Sequence, residues 1–199
     1  MKKLTFIFAF FVSIIVFSQN DTAQLFSDSY KHEYKKEFQK AIDAMLKVDK
    51  PNKYTSKIRL GWLYYLNGEY QKSKTFYETA IHLEKQSIEA RFGLIYPTSA
   101  MQNWDDVIKI YDDILIIDAK NDTALYKLAY IYFVRKNWTK TEELLKKLVV
   151  NYPFSYKANI LLGSTLIKSG KIKEAKKVLQ KALEYHPYSK GALFLLKGL

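Results

Sequence analysis

Apolar residues recur at intervals of three and four along most of this chain, as in Leu125, Leu128, Ala129, Tyr132 and then Trp138, Thr141, Leu145, Leu148. That is the period of two amphipathic helices separated by a short turn. The layout then repeats. "KNWTKTEELLKKLVVNYPFS" (136–155) and "GKIKEAKKVLQKALEYHPYS" (170–189) carry the same order of apolar, small, basic, Pro and Ser positions at an offset of 34 residues. On that frame Tyr70, Trp104, Trp138 and Ile172 share one column, and Leu60, Leu94, Leu128 and Leu162 another. Ser73, Val107, Thr141 and Ala175 form a small-residue column, and Tyr77, Tyr111, Leu145 and Leu179 a large apolar one. Ser87, Asn121, Ser155 and Ser189 make a fifth, each with a side-chain oxygen suited to accept from the free N–H groups of a helix start. Five coincident columns define four helical hairpins, at 54–87, 88–121, 122–155 and 156–189. A lone hairpin leaves apolar surface wet, so such units must stack, and about three are needed for stability.

The flanks extend the pattern less regularly. Within 19–53, Phe38, Ala41, Met45 and Val48 read as the second helix of a degenerate hairpin whose first helix covers about 22–35. Phe38 lies 32 residues before Tyr70, so the register slips there by two. Residues 189–199 read as a single helix that caps the last hairpin.

At these residues the chain resembles the tetratricopeptide repeat family. The fourth unit carries Leu162, Gly163, Gly170, Ala175, Leu179, Ala182 and Pro187; the first carries Leu60, Gly61, Tyr64, Gly68, Tyr70, Tyr77 and Ala80, with Lys85 in place of the terminal Pro. The third keeps Leu128, Ala129, Tyr132, Leu148 and Pro153. The second departs most, with Ile95 where Gly or Ala is usual and Ala119 where Pro is. The resemblance implies an all-α fold, an α-solenoid right-handed superhelix of stacked 34-residue helical hairpins, and a concave face lined by the first helix of each hairpin.

Carried over position by position, the resemblance places Ile58, Trp62, Tyr65, Phe92, Tyr96, Tyr126, Tyr130, Phe133 and Ile160 on that face, with Ser164. An aromatic trough of this kind suits an extended peptide, an amphipathic helix or a glycan, because flat rings bury large area at small entropic cost. The opposing reading is that Trp62, Tyr96 and Tyr130 pack against a neighbouring unit or lie under the N-terminal helix. Positions that grip a C-terminal carboxylate with Lys, Asn and Arg in one branch of the family hold apolar and aromatic residues here, so that mode is not expected. In the small-residue seams, Trp104, Trp138, Tyr77 and Tyr111 are expected to fill the space between helices. Pro97 falls inside a first helix, where it removes a backbone donor, with Gly93 placed to ease a bend.

Composition narrows the role. The chain has 199 residues and opens with Lys2 and Lys3, a 14-residue apolar run Leu4–Phe17, and Ser18, the form of an export signal over 1–18 with cleavage after Ser18. The run is shorter than the roughly 20 residues a spanning helix needs, so no membrane span is expected in the mature chain. An uncleaved anchor is the alternative, and the lack of Cys excludes a lipid-anchored form. Zero Cys also removes disulfides, thiolate zinc sites and a Cys nucleophile together. The net charge of +12 favours acidic partners or surfaces, although nucleic acid is not expected outside the cytoplasm. Lys171, Lys173, Lys176, Lys177 and Lys181 read as a solvated helix face. His32, His82 and His186 are scattered, and neither a phosphate loop nor a nucleophile elbow appears, so no cofactor, metal or catalytic centre is expected. The expectation is an exported, periplasmic or secreted, non-catalytic scaffold of the bacterial cell envelope that binds a peptide or protein. Glycan binding through the same trough is the second reading, and self-association through the terminal helices a third.

Overall fold

The computed structural model describes residues 21–199, and the signal read at 1–18 lies outside them. Among the described residues every regular element is helical, so the fold is all-α. Helix α1 occupies 21–34. It is followed by α2 (Phe38–Leu46), α3 (Tyr54–Leu66), α4 (Tyr70–Leu83), α5 (Ile88–Ala100) and α6 (Trp104–Ile117). Then come α7 (Asp122–Val134), α8 (Trp138–Asn151), α9 (Tyr156–Lys168), α10 (Ile172–Tyr185) and α11 (Lys190–Lys197). From Tyr54 onward each first helix and each second helix restarts 34 residues after its predecessor.

The turns explain the regularity. Within each hairpin the helix ends on one left-handed residue: Lys36, Gly68, Gln102, Lys136 and Gly170, with φ of 59°, 80°, 61°, 58° and 77°. The N–H of the next residue reaches back five positions, as from Glu69 to Tyr64 O (2.9 Å), Asn137 to Tyr132 O (2.9 Å) and Lys171 to Leu166 O (2.8 Å). This closure satisfies a carbonyl that the helix end would otherwise leave open. Because Lys36 and Glu37 close their turn in the same way, the two-residue slip arises after it. Phe38 to Tyr54 spans 16 positions where Tyr70 to Ile88 spans 18.

Three of the four expected helix caps form. Ser87, Asn121 and Ser189 accept from the backbone N–H of Ala90, Ala124 and Ala192, each at 3.0 Å. Ser155 makes no such bond; the Asn159 amide instead donates to its carbonyl (2.9 Å) and to that of Pro153 (2.8 Å).

The chain divides into two compact units, 1–104 and 105–199. In the first, Ala41, Ile42 and Met45 of α2 pack with Leu60, Leu63 and Tyr64 of α3, and Leu25 and Phe26 of α1 close that core. Tyr77 of α4 lies between two glycines. A Cβ on Gly61 would come 2.9 Å from its ring and one on Gly93 2.1 Å, so both sites need glycine for close approach. Gly93 therefore makes room for Tyr77, a different task from easing a bend at Pro97, which α5 accommodates as a buried helical residue. In the second unit, Leu125 and Leu128 of α7, Leu145 and Leu148 of α8, Leu162 and Leu166 of α9 and Leu179 of α10 are buried.

Two packing expectations are corrected. Trp104 is 47% exposed and Trp138 only half-buried, edge-on to Phe133 at 5.3 Å, so neither fills a helix seam. Tyr77 and Tyr111 of the next column are buried instead. Each tryptophan opens its helix, where a side chain leans outward over the turn and not into the crossing point.

Candidate partner-binding face

In the first unit, α3 and α5 present Ile58, Trp62, Tyr65, Phe92 and Tyr96, all half-buried except Tyr96, which is 50% exposed. They share one side because 58, 62 and 65 follow the i, i+4, i+7 spacing of a helix face. Trp62, Tyr65 and Tyr96 form an aromatic triangle: Trp62 meets Tyr96 edge-on at 5.6 Å, Tyr65 lies 5.6 Å from Trp62 and 5.3 Å from Tyr96. Tyr70 continues it at 5.9 Å from Tyr65. Trp62 thus packs against the neighbouring hairpin and is also tied to α1, since its indole N–H donates to Glu33 Oε1 at 2.7 Å.

That bond makes α1 one wall of a cleft of about 780 Å³. Phe26, Tyr30, Glu33 and Tyr34 line it from α1, Tyr54, Ile58, Arg59 and Trp62 from α3, and Glu89 from α5. Arg59 is 6% exposed and crosses its base. Its Nε donates to Ser29 Oγ (3.1 Å), its Nη1 pairs with Glu33, and the ring of Tyr30 lies 3.8 Å from the guanidinium carbon. Tyr54 Oη shares a 2.6 Å bond with Ser87 Oγ and donates to Glu89 at 3.2 Å. Burial, with Glu89 adding to it, raises the Tyr54 phenol above its usual pKa, which keeps it a donor.

In the second unit, Tyr126 is half-buried and Tyr130 50% exposed on α7. Burial raises the Tyr126 pKa, with Tyr130 contributing. Phe133 packs on Trp138 of its own hairpin, and Ile160 of α9 faces Gly191 of α11, so both are partly covered. Ser164 is half-buried. None of the expected residues is fully buried, and the structure brings together Ile58, Trp62, Tyr65 and Tyr96 most closely.

Arg59, Glu33, Tyr54 and Glu89 were not among the sequence-derived candidates. Their signal is faint: Arg59 is a cation beside the core residue Leu60, and Glu33 sits in the hairpin whose register slips. Among the described residues no group of three or more acidic, His or Cys side chains is arranged to hold a metal, and no helix is long and apolar enough to cross a membrane. His32 is spent on Glu37 at 2.6 Å.

Comparison with known proteins adds to this geometry. Residues 54–87 match the family model of the tetratricopeptide repeat, and 100–182 match the model described as anaphase-promoting complex, cyclosome, subunit 3. No curated protein matches the chain. A crystal structure of MamA superposes with a TM-score of 0.69 over 86% of this chain and 97% of its own, at 24% identity. A tetratricopeptide repeat protein from Parabacteroides merdae gives 0.71 over 88% and 72%, at 17% identity. YrrB, described as a TPR protein with an unusual peptide-binding site, gives 0.67 over 95% and 98%, at 15% identity. At these identities the likeness carries the fold.

Proposed function

This chain belongs to the tetratricopeptide-repeat proteins, and we propose that it binds a peptide or partner protein through the aromatic residues of its first helices, in the cell envelope. Proteins of this family are in general non-catalytic scaffolds that bind protein partners. The observation that carries the finer reading is a column of rings at one repeat position: Trp62, Tyr96 and Tyr130 stand 34 residues apart, and the last two remain half exposed after folding. Rings left in water at a recurring position, where no core demands them, are the composition that interface anchors favour. Peptide or protein is favoured over glycan because Trp62 has its N–H bound to Glu33 and its face edged by Tyr96. A ring so engaged is poorly placed to stack on a sugar.

The test is affinity capture from cell envelopes with the wild-type protein and a Tyr96→Ala/Tyr130→Ala variant whose circular dichroism matches. A protein recovered by the first and lost by the second supports this reading. Matching eluates remove the aromatic column from the role. Trp62 is left intact because its truncation would also remove its bond to Glu33 of α1.

A further inference from the structure

The cleft of the first unit has a charge pattern that names the kind of segment it accepts, an inference that rests on the partner-binding role proposed above. Its charged lining is Glu33, Arg59 and Glu89. Arg59 and Glu33 pair with each other, and the second oxygen of Glu33 is taken by Trp62. Glu89 is exposed and, among the described residues, joins no ion pair; its one bond is from the Tyr54 hydroxyl. Lys53, with its ammonium 5.4 Å from the Phe26 ring, lines the adjoining depression together with Lys47 and Lys50. Those lysines lie outside the cleft, whose own lining carries one carboxylate in excess within a chain of net charge +12.

A second observation is independent of that charge. Arg59 Nη2 is buried and has no hydrogen-bond partner. A buried donor left without an acceptor is costly, and an oxygen entering the cleft relieves it. A carboxylate would be a poor choice, because Glu33 already neutralises Arg59 and Glu89 lines the same space. A neutral carbonyl supplies the lone pair without the repulsion. The exposed ring of Tyr34 at the α1 side offers a face to a cation or an apolar side chain.

We propose that this cleft binds an extended peptide segment bearing a lysine or arginine. Its cationic side chain meets Glu89, and one of its backbone carbonyls accepts from Arg59 Nη2. The tyrosine ring over the guanidinium moves aside to admit that carbonyl. The partner is therefore a basic peptide segment, and the aromatic face of α3 and α5 extends its footprint.

The probe is a displayed library of random dodecapeptides, panned on the whole protein and on its Glu89→Gln variant. Wild type should enrich Lys or Arg beside apolar or aromatic residues, and Glu89→Gln should lose the basic preference. A wild-type-selected peptide with blocked termini should bind Glu89→Gln about 1.5- to fivefold more weakly, the range an exposed ion pair supplies. Glu89 is exposed, so that variant folds. Arg59→Lys keeps a charge for Glu33 but loses the fork, and should weaken the same peptide and its Lys→Gln analogue alike. Enrichment of acidic residues, or a basic preference unchanged in Glu89→Gln, overturns the proposal and leaves partner binding standing. If wild type enriches no peptide at all, this proposal falls, and partner binding is decided separately by the capture experiment with Tyr96→Ala/Tyr130→Ala. Equal affinity of folded Arg59→Lys for the peptide overturns the carbonyl contact.

Discussion

Tyr77 fills the space between helices as its repeat column predicts, and it is Gly93 whose task the sequence concealed. The Tyr77 ring fills the gap between Gly61 and Gly93, and a ring cannot yield as a flexible side chain can. Gly93→Ala should therefore destabilise the protein by about 1–3 kcal/mol, an overpacking cost, seen as a lower denaturant midpoint at unchanged slope. Tyr77→Ala should cost more, about 3–5 kcal/mol, because a buried ring leaves a cavity. Trp138→Ala should cost only about 1–2 kcal/mol, since the indole is half in water and its main loss is the Phe133 contact. A larger loss at Trp138 than at Tyr77 would contradict this packing.

At the scale of the element, helix ends and helix pairs set the stability. Lys136 occupies a left-handed turn position that Gly68 and Gly170 fill without steric cost in the equivalent turns. Lys136→Gly should raise stability by about 0.5–1 kcal/mol, measured by equilibrium denaturation. Glu142 of α8 pairs with Lys146 of its own helix (2.7 Å) and reaches Lys171 of the next hairpin (2.9 Å), so Lys171 is not merely solvated as its helix neighbours are. Burial pushes the Glu142 pKa up, but its bonds to the two ammoniums outweigh that, and the net shift is below the ordinary 4.5. A depressed carboxyl contributes stability above its unfolded pKa and loses it as pH falls through the folded one. Stability should thus drop below about pH 4.5. In Glu142→Gln that part of the acid loss should vanish, while stability near pH 7 falls; an unchanged acid profile would count against the network.

For the whole molecule, export is part of what we propose, and the fate of residues 1–18 tests it. Expressed with its leader in a bacterium, the protein should appear in the periplasmic or extracellular fraction with Gln19 as its first residue. Retention of Met1 in the membrane fraction would mean an uncleaved anchor, and recovery in the cytosol would remove the envelope from the reading. The basic balance of +12 belongs to this scale too, because it acts by long-range steering and says little about any one site.

Periodicity alone was enough to read the helical hairpins, since a 34-residue recurrence reports which side chains must be buried against a neighbour. Leu60, Leu128 and Leu162 are buried as that column requires. Local signals also reached the caps at Ser87, Asn121 and Ser189, whose bonds span only three residues. The face holding Trp62 and Tyr96 could be reached by carrying over repeat positions. The cleft beside it could not, because Glu33, Arg59 and Glu89 stand 26 and 30 positions apart and converge only when α1 and α5 both pack on α3. No repeat column links them, as the two-residue slip before α3 takes α1 out of register. Which rings end in water, and which buried nitrogens lack an acceptor, were decided by packing in three dimensions.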